Sequence, residues 1–148
     1  MTPQLSGKLK LLVADDDANL REALGEFFSR EGFAVSLVSS GLEAIELLRQ
    51  RLFDVSVLDG HMPGLTGPQV LSRLLADVGP QAIPPTVVVS SDASIEAWVR
   101  EQFGLQRGDG RNHETCSGAR CGVGFVAKPI RLDALRSSIQ LLLTRNAT

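Results

Sequence analysis

The chain has 148 residues, 43% hydrophobic and 22% charged, which excludes the disordered and fibrous classes and suits one domain able to bury roughly 70% of its unfolded surface. Fifteen Lys and Arg against 17 Asp and Glu leave a formal charge of −2, so there is no basic surplus for nucleic acid or an anionic membrane. No apolar run reaches the ~20 residues of a membrane span, residues 1–10 lack the apolar core of a signal peptide, and Cys116 and Cys121 are too few for a secreted disulfide framework, so a reducing, cytoplasmic location is expected.

Along the chain, short apolar runs bounded by turn signals predict strands at Leu9–Ala14, Phe33–Val38, Val55–Leu58, Val87–Val89 and Val123–Ala127. Between the first two, Leu20, Ala23, Leu24, Phe27 and Phe28 recur at the spacing of one helix face, and that helix ends near Gly32. A second helix is predicted from about Leu42 to Leu52 with Ile45 and Leu48 inward. A third starts near Pro68, turns Val70, Leu71, Leu74 and Leu75 to the core, and stops at Gly79 and Pro80. The fourth, around Ala93–Phe103, carries Ile95, Trp98 and Val99, and the last carries Leu132, Leu135, Ile139 and Leu142. Five β then α units of this kind stack parallel strands through right-handed crossovers and cover both faces with helices. The expected fold is therefore α/β: a doubly wound, five-stranded parallel sheet, with the working crevice outside the carboxyl ends of the strands.

Four of those ends are polar. Strand one runs into Asp15, Asp16 and Asp17, strand three ends at Asp59, strand four at Ser90 and Ser91, and strand five at Lys128 before Pro129. Carboxylates about 4 Å apart repel by ~4 kcal/mol at an effective dielectric near 20, so Asp15, Asp16 and Asp59 cannot converge unless positive charge intervenes. Lys128 supplies one charge, and the remaining hard oxygen ligands suit Mg²⁺. Each residue alone has a plainer reading. Asp15 to Asp17 can favour a helix N-terminus, Ser90, Ser91 and Asp92 are ordinary N-caps, and Lys128-Pro129 can be a turn. Asp59 is harder to dismiss, since it ends an apolar strand and is followed by Gly60 and a Pro63-Gly64 turn. The joint placement carries the argument.

Four segments, Leu11–Asp17 (LLVADDD), Val55–Gly67 (VSVLDGHMPGLTG), Val87–Ser91 (VVVSS) and Gly124–Pro129 (GFVAKP), stand in the order and at the strand ends of a known family. The chain resembles the receiver domain of two-component response regulators, a flavodoxin-like fold. The resemblance implies a phosphoacceptor rather than a turnover enzyme. Asp59 is its nucleophile toward a phosphohistidine of a histidine kinase or histidine phosphotransfer protein. It implies Mg²⁺ on Asp15, Asp16, Asp59 and the backbone carbonyl of His61, with Lys128 on a phosphoryl oxygen and Ser90 donating its hydroxyl to the phosphoryl group. Ser91 is the less favoured hydroxyl. Phe125 matches the family's switch aromatic; without a hydroxyl it can report the state to an unidentified downstream protein by packing alone. His61 and Asp92 follow Asp59 and Ser90 by two residues and are expected at the rim. The alternative is a receiver-like interaction module that works without phosphorylation. A metal-dependent phosphatase or flavin protein is disfavoured, because strand one lacks a Gly-rich phosphate loop and no second carboxylate follows Asp59 at two residues.

The resemblance implies one receiver domain across residues 1–148, its core at 8–145, with an insertion at 104–122 between the fourth helix and the last strand. That insertion is rich in Gly and charge, longer than a usual connection, and expected as a loop. His113, Cys116 and Cys121 within it raise zinc, but three ligands without a finger spacing leave free thiols as the simpler reading. Trp98 has no basic and aromatic neighbours for a nucleic-acid role and is expected in or near the core. The chain ends about a turn after the last helical pattern, without room for an output domain, so it is expected to act alone or to have been cut from something longer.

Overall fold

The computed structural model describes residues 7–50, 52–79, 82–103, 105–107, 113–116 and 122–146. Elements follow in the order β1 (Lys10–Ala14), α1 (Ala18–Arg30), β2 (Ala34–Val38), α2 (Gly41–Arg49), β3 (Val55–Asp59), α3 (Gly67–Val78), β4 (Thr86–Ser90), α4 (Ala93–Phe103), β5 (Leu105–Arg107), β6 (His113–Cys116), β7 (Val123–Ala127) and α5 (Leu132–Asn146). They build one sheet in the order β2-β1-β3-β4-β7-β6-β5. The five strands expected from the sequence are all present and mutually parallel.

The near-continuous apolar strands are explained by burial on both sides, since successive side chains point to opposite faces. Leu11, Val13, Val57, Val87, Val89 and Val126 meet Leu24 and Phe28 of α1 and Leu135, Ile139 and Leu142 of α5. Leu12, Ala14, Leu58, Val88 and Phe125 meet Ile45 and Leu48 of α2, Val70, Leu71 and Leu74 of α3, and Ile95 and Val99 of α4. Trp98 is half-buried against this second layer, edge-on to Phe103. Ala23, assigned by spacing to the inner face of α1, is instead exposed.

The insertion differs from the expected loop. Two of its segments form strands, β5 pairing antiparallel with β6, and β6 pairing antiparallel with β7 from His113 opposite Val126 to Thr115 opposite Gly124. The pair lengthens the parallel sheet beyond β7, which therefore has strand partners on both sides, β4 and β6. The side chains of His113 and Cys116, and all of Cys121, lie outside the described residues, as does Pro80. Among the described residues no helix is long and apolar enough to cross a membrane.

The loops that position the strand ends are tightly held. Thr66 caps α3 by accepting from the Gln69 N–H, while the Gln69 side chain accepts from the Thr66 N–H, a reciprocal capping box. Gly67 opens that helix with its own N–H donating to the Gly60 carbonyl at 3.2 Å. A methyl group at Gly67 would stand 2.7 Å from the Asp59 carbonyl oxygen, inside any normal contact. We therefore expect Gly67→Ala to force the Asp59 backbone aside and cost about 1–3 kcal/mol, read as a lower midpoint in urea unfolding with an unchanged slope.

Candidate functional site

Asp15 and Asp59 sit at the carboxyl ends of neighbouring strands. β1 and β3 run in register from Leu11 opposite Val55 to Ala14 opposite Leu58, and one step further places Asp15 beside Asp59. Both continue the alternation that points toward α1 and α5, and both are buried. β7 delivers Lys128 from the other side. The ladder to β4 ends at Ser90 opposite Ala127, and the Lys128 N–H donates to the Ser90 carbonyl at 3.1 Å. Lys128 Nζ then reaches Asp59 Oδ1 at 3.1 Å and Asp15 Oδ2 at 3.5 Å.

Composition and spacing leave the three consecutive aspartates alike, whereas the resemblance singles out Asp15 and Asp16 as metal ligands; the structure gives each of the three its own place. Asp17 is the N-cap of α1, its side chain accepting from the Asn19 and Leu20 N–H groups. Asp15 turns inward and accepts from the Asp17 N–H with Oδ1 at 2.9 Å, which leaves Oδ2 buried and without a hydrogen bond. At 3.5 Å the Lys128 ammonium attracts this oxygen electrostatically but does not satisfy it. Asp16 is exposed, yet one oxygen from each of Asp15, Asp16 and Asp59 falls within 4.8 Å of the others. An orphaned buried carboxylate oxygen facing two further carboxylates is a donor set that fits a hard divalent cation.

The same crowding perturbs Asp59. Burial and repulsion from Asp15 push its pKa up from 3.8 to about 6, against the opposing pull of the Lys128 ammonium and the His61 N–H. Burial pulls the Lys128 ammonium down, but Asp59 and Asp15 outweigh it and hold the pKa above the ordinary value.

Ser90 is buried at the end of β4, on the opposite parity from Asp59, and its Oγ accepts from the Asp92 N–H at 3.0 Å. Ser91 is exposed. Phe125, expected as a switch residue, lies inward at 2% exposure in the layer with Ile95 and Val99. Of the three residues whose plainer reading is an N-cap of α4, Asp92 is the one whose side chain accepts from the helix, Oδ1 from the Ser94 N–H at 2.8 Å. Sequence reasoning put His61 and Asp92 at the rim but could not see that they pair, Nε2 to Oδ2 at 3.0 Å across 31 residues of chain.

The family profile described as the response regulator receiver domain matches residues 11–103. The chain belongs to that family. The match stops at residue 103, so Phe125 in β7 and Lys128 just after β7 lie beyond it. Over 138 residues the receiver is 30% identical to response regulator MprA of Mycobacterium leprae, covering 93% of this chain and 52% of that protein. The chain spans about half the length of the curated relatives it matches. The receiver domain of a Francisella response regulator superposes with a TM-score of 0.70 at 25% identity, covering 93% of this chain and 98% of that one. A CheY-like receiver from Methanospirillum hungatei gives 0.71 at 14% identity, over 94% and 96% of the two chains, and shows the fold alone.

A raised pKa in the folded state means that the native protein holds the Asp59 proton more tightly than the unfolded chain does. Stability from this group is present below pH 4 and falls as pH rises to 6. In chelator-treated protein, Asp59→Asn should therefore gain about 1–2 kcal/mol over wild type between pH 4 and pH 7. Denaturant midpoints of both proteins at the two pH values check this; a constant offset would contradict it.

Proposed function

We propose that this receiver takes a phosphoryl group onto Asp59 from a phosphohistidine of a histidine kinase or histidine phosphotransfer protein, with Mg²⁺ as cofactor. The observation that carries the reading is the buried Asp59 carboxylate held 3.1 Å from Lys128 beside the orphaned oxygen of Asp15. In the transfer, an Asp59 oxygen bonds to phosphorus as the phosphorus–nitrogen bond breaks and the imidazole leaves with the electron pair. The product is an acyl phosphate.

Asp15, Asp16, Asp59 and the His61 carbonyl would hold Mg²⁺, which when bound offsets the carboxylate charge and draws phosphoryl oxygens to the site. Lys128, already oriented by two carboxylates, exchanges part of that pairing for a phosphoryl oxygen. Ser90 accepts from the Asp92 N–H, so its own proton is free to be donated to the phosphoryl group.

The domain is a phosphoacceptor, not a turnover enzyme, and its output is a change of population. New contacts of the phosphoryl group with Lys128 and Ser90 favour one arrangement of the loops after β4 and β7, which a downstream protein reads in the cytoplasm. Phe125 joins this response through packing, since it has no hydroxyl and is already lodged against α4. One receiver unit accounts for residues 8–145, with 104–122 as its insertion. A module indifferent to phosphorylation is not supported by the comparisons. It would also leave the crowded, buried Asp15 and Asp59 without a purpose that offsets their cost.

Incubation with acetyl phosphate and MgCl₂, followed by intact mass measurement, should add one phosphoryl group to the wild type and none to Asp59→Asn. Lys128→Ala should be phosphorylated at least about tenfold more slowly, the loss expected for one charged group at a phosphoryl transition state. An unmodified wild type, or an adduct that survives Asp59→Asn, would overturn the assignment.

A further inference from the structure

One residue touches both halves of the site. The His61 N–H donates to Asp59 Oδ1 at 3.3 Å, while its side chain, on the loop after β3, meets Asp92 Oδ2 at 3.0 Å on the turn after β4. Asp92 is otherwise engaged only locally among the contacts described. Its Oδ1 accepts from the Ser94 N–H at 2.8 Å and the Ser94 hydroxyl at 2.7 Å, and its carbonyl accepts from the first turn of α4. Its own N–H, at 3.0 Å, holds Ser90 Oγ. Since a serine hydroxyl can rotate, where it sends its proton depends on which neighbour occupies its lone pairs.

We propose that His61 is a positioning residue: through Asp92 it fixes the turn whose N–H orients the Ser90 hydroxyl toward the phosphoryl group on Asp59. The inference rests on the reading of Asp59 as acceptor and adds a role for a residue that need not touch phosphorus. With Nε2 protonated, the imidazole donates to a carboxylate that is itself anchored by Ser94, so the loop after β3 and the turn after β4 keep one spacing. Gly60 makes this spacing tight, because a methyl group there would stand 2.8 Å from Ser90 Cβ. The pair is half exposed, with 63% of the His61 side chain and 37% of that of Asp92 open to solvent. It is therefore a weak strap, which orders the turn while letting a donor protein displace it.

The size of the effect follows from that exposure. His61→Ala should slow phosphorylation of Asp59 by acetyl phosphate and Mg²⁺ about two- to fivefold, the range of one exposed side-chain hydrogen bond to a carboxylate. His61→Gln, whose amide keeps a donor near the position of Nε2, should recover the rate. In a Ser90→Ala background, His61→Ala should have no further effect, because the hydroxyl it orients is gone. Rates are read by intact mass on the 148-residue chain, with thermal unfolding to confirm that the variants fold. An unchanged or faster rate in His61→Ala, a His61→Gln rate as low as that of His61→Ala, or the same decrement with and without Ser90 would overturn the proposal. An absent adduct on the wild type would instead sink the assignment of Asp59 itself, so the two failures are distinguishable.

Discussion

Burying Asp15 beside Asp59 costs more than burying either alone, because carboxylates about 4 Å apart repel by ~4 kcal/mol at an effective dielectric near 20. The Lys128 ammonium is the counterweight, 3.1 Å from one and 3.5 Å from the other. Much of the architecture serves this contact. Asp15 and Asp59 are brought together by the register of β1 and β3, and Lys128 arrives only because β7 returns beside β4 after a long excursion of the chain. The Asp15 oxygen left without a hydrogen bond marks the charge that Lys128 does not balance.

Rigidity follows from the same need. Carboxylates that repel will drift apart unless their backbones are held, and here the Asp59 carbonyl is crowded by Gly67 while the Gly60 N–H donates to the Val89 carbonyl at 2.8 Å. β7 is secured from both sides, by β4 and by the antiparallel β6. β6 thus frames the strand that carries Phe125 and leads into Lys128, and β5 forms this edge of the sheet.

How much was legible in the sequence follows from which interactions are local. Asp59 stood out because a carboxylate closing an apolar strand needs a reason, and Lys128 gained weight because parallel alternation puts those strand ends together. The doubly wound sheet was legible for a related reason, since runs such as Val87 to Val89 are apolar at every position only when both faces are covered. Asp15 is told from Asp17 by the resemblance alone, because the N-cap and the cluster ask for the same residue type two positions apart. The strands Leu105–Arg107 and His113–Cys116 escaped because three or four residues with no apolar alternation carry no period, and the ladder to β7 sets them. The His61–Asp92 pair was invisible for a third reason: its partners are distant in sequence and meet only once two loops are placed.

The claim on which the account turns is that the unbalanced carboxylates form a cation site. Calorimetric titration of the protein with MgCl₂ tests it most directly, on wild type and on Asp15→Asn. Saturable one-site binding to the wild type, weakened at least about tenfold by Asp15→Asn, is the result the account predicts. No binding to the wild type, or equal affinity in the two proteins, would contradict it.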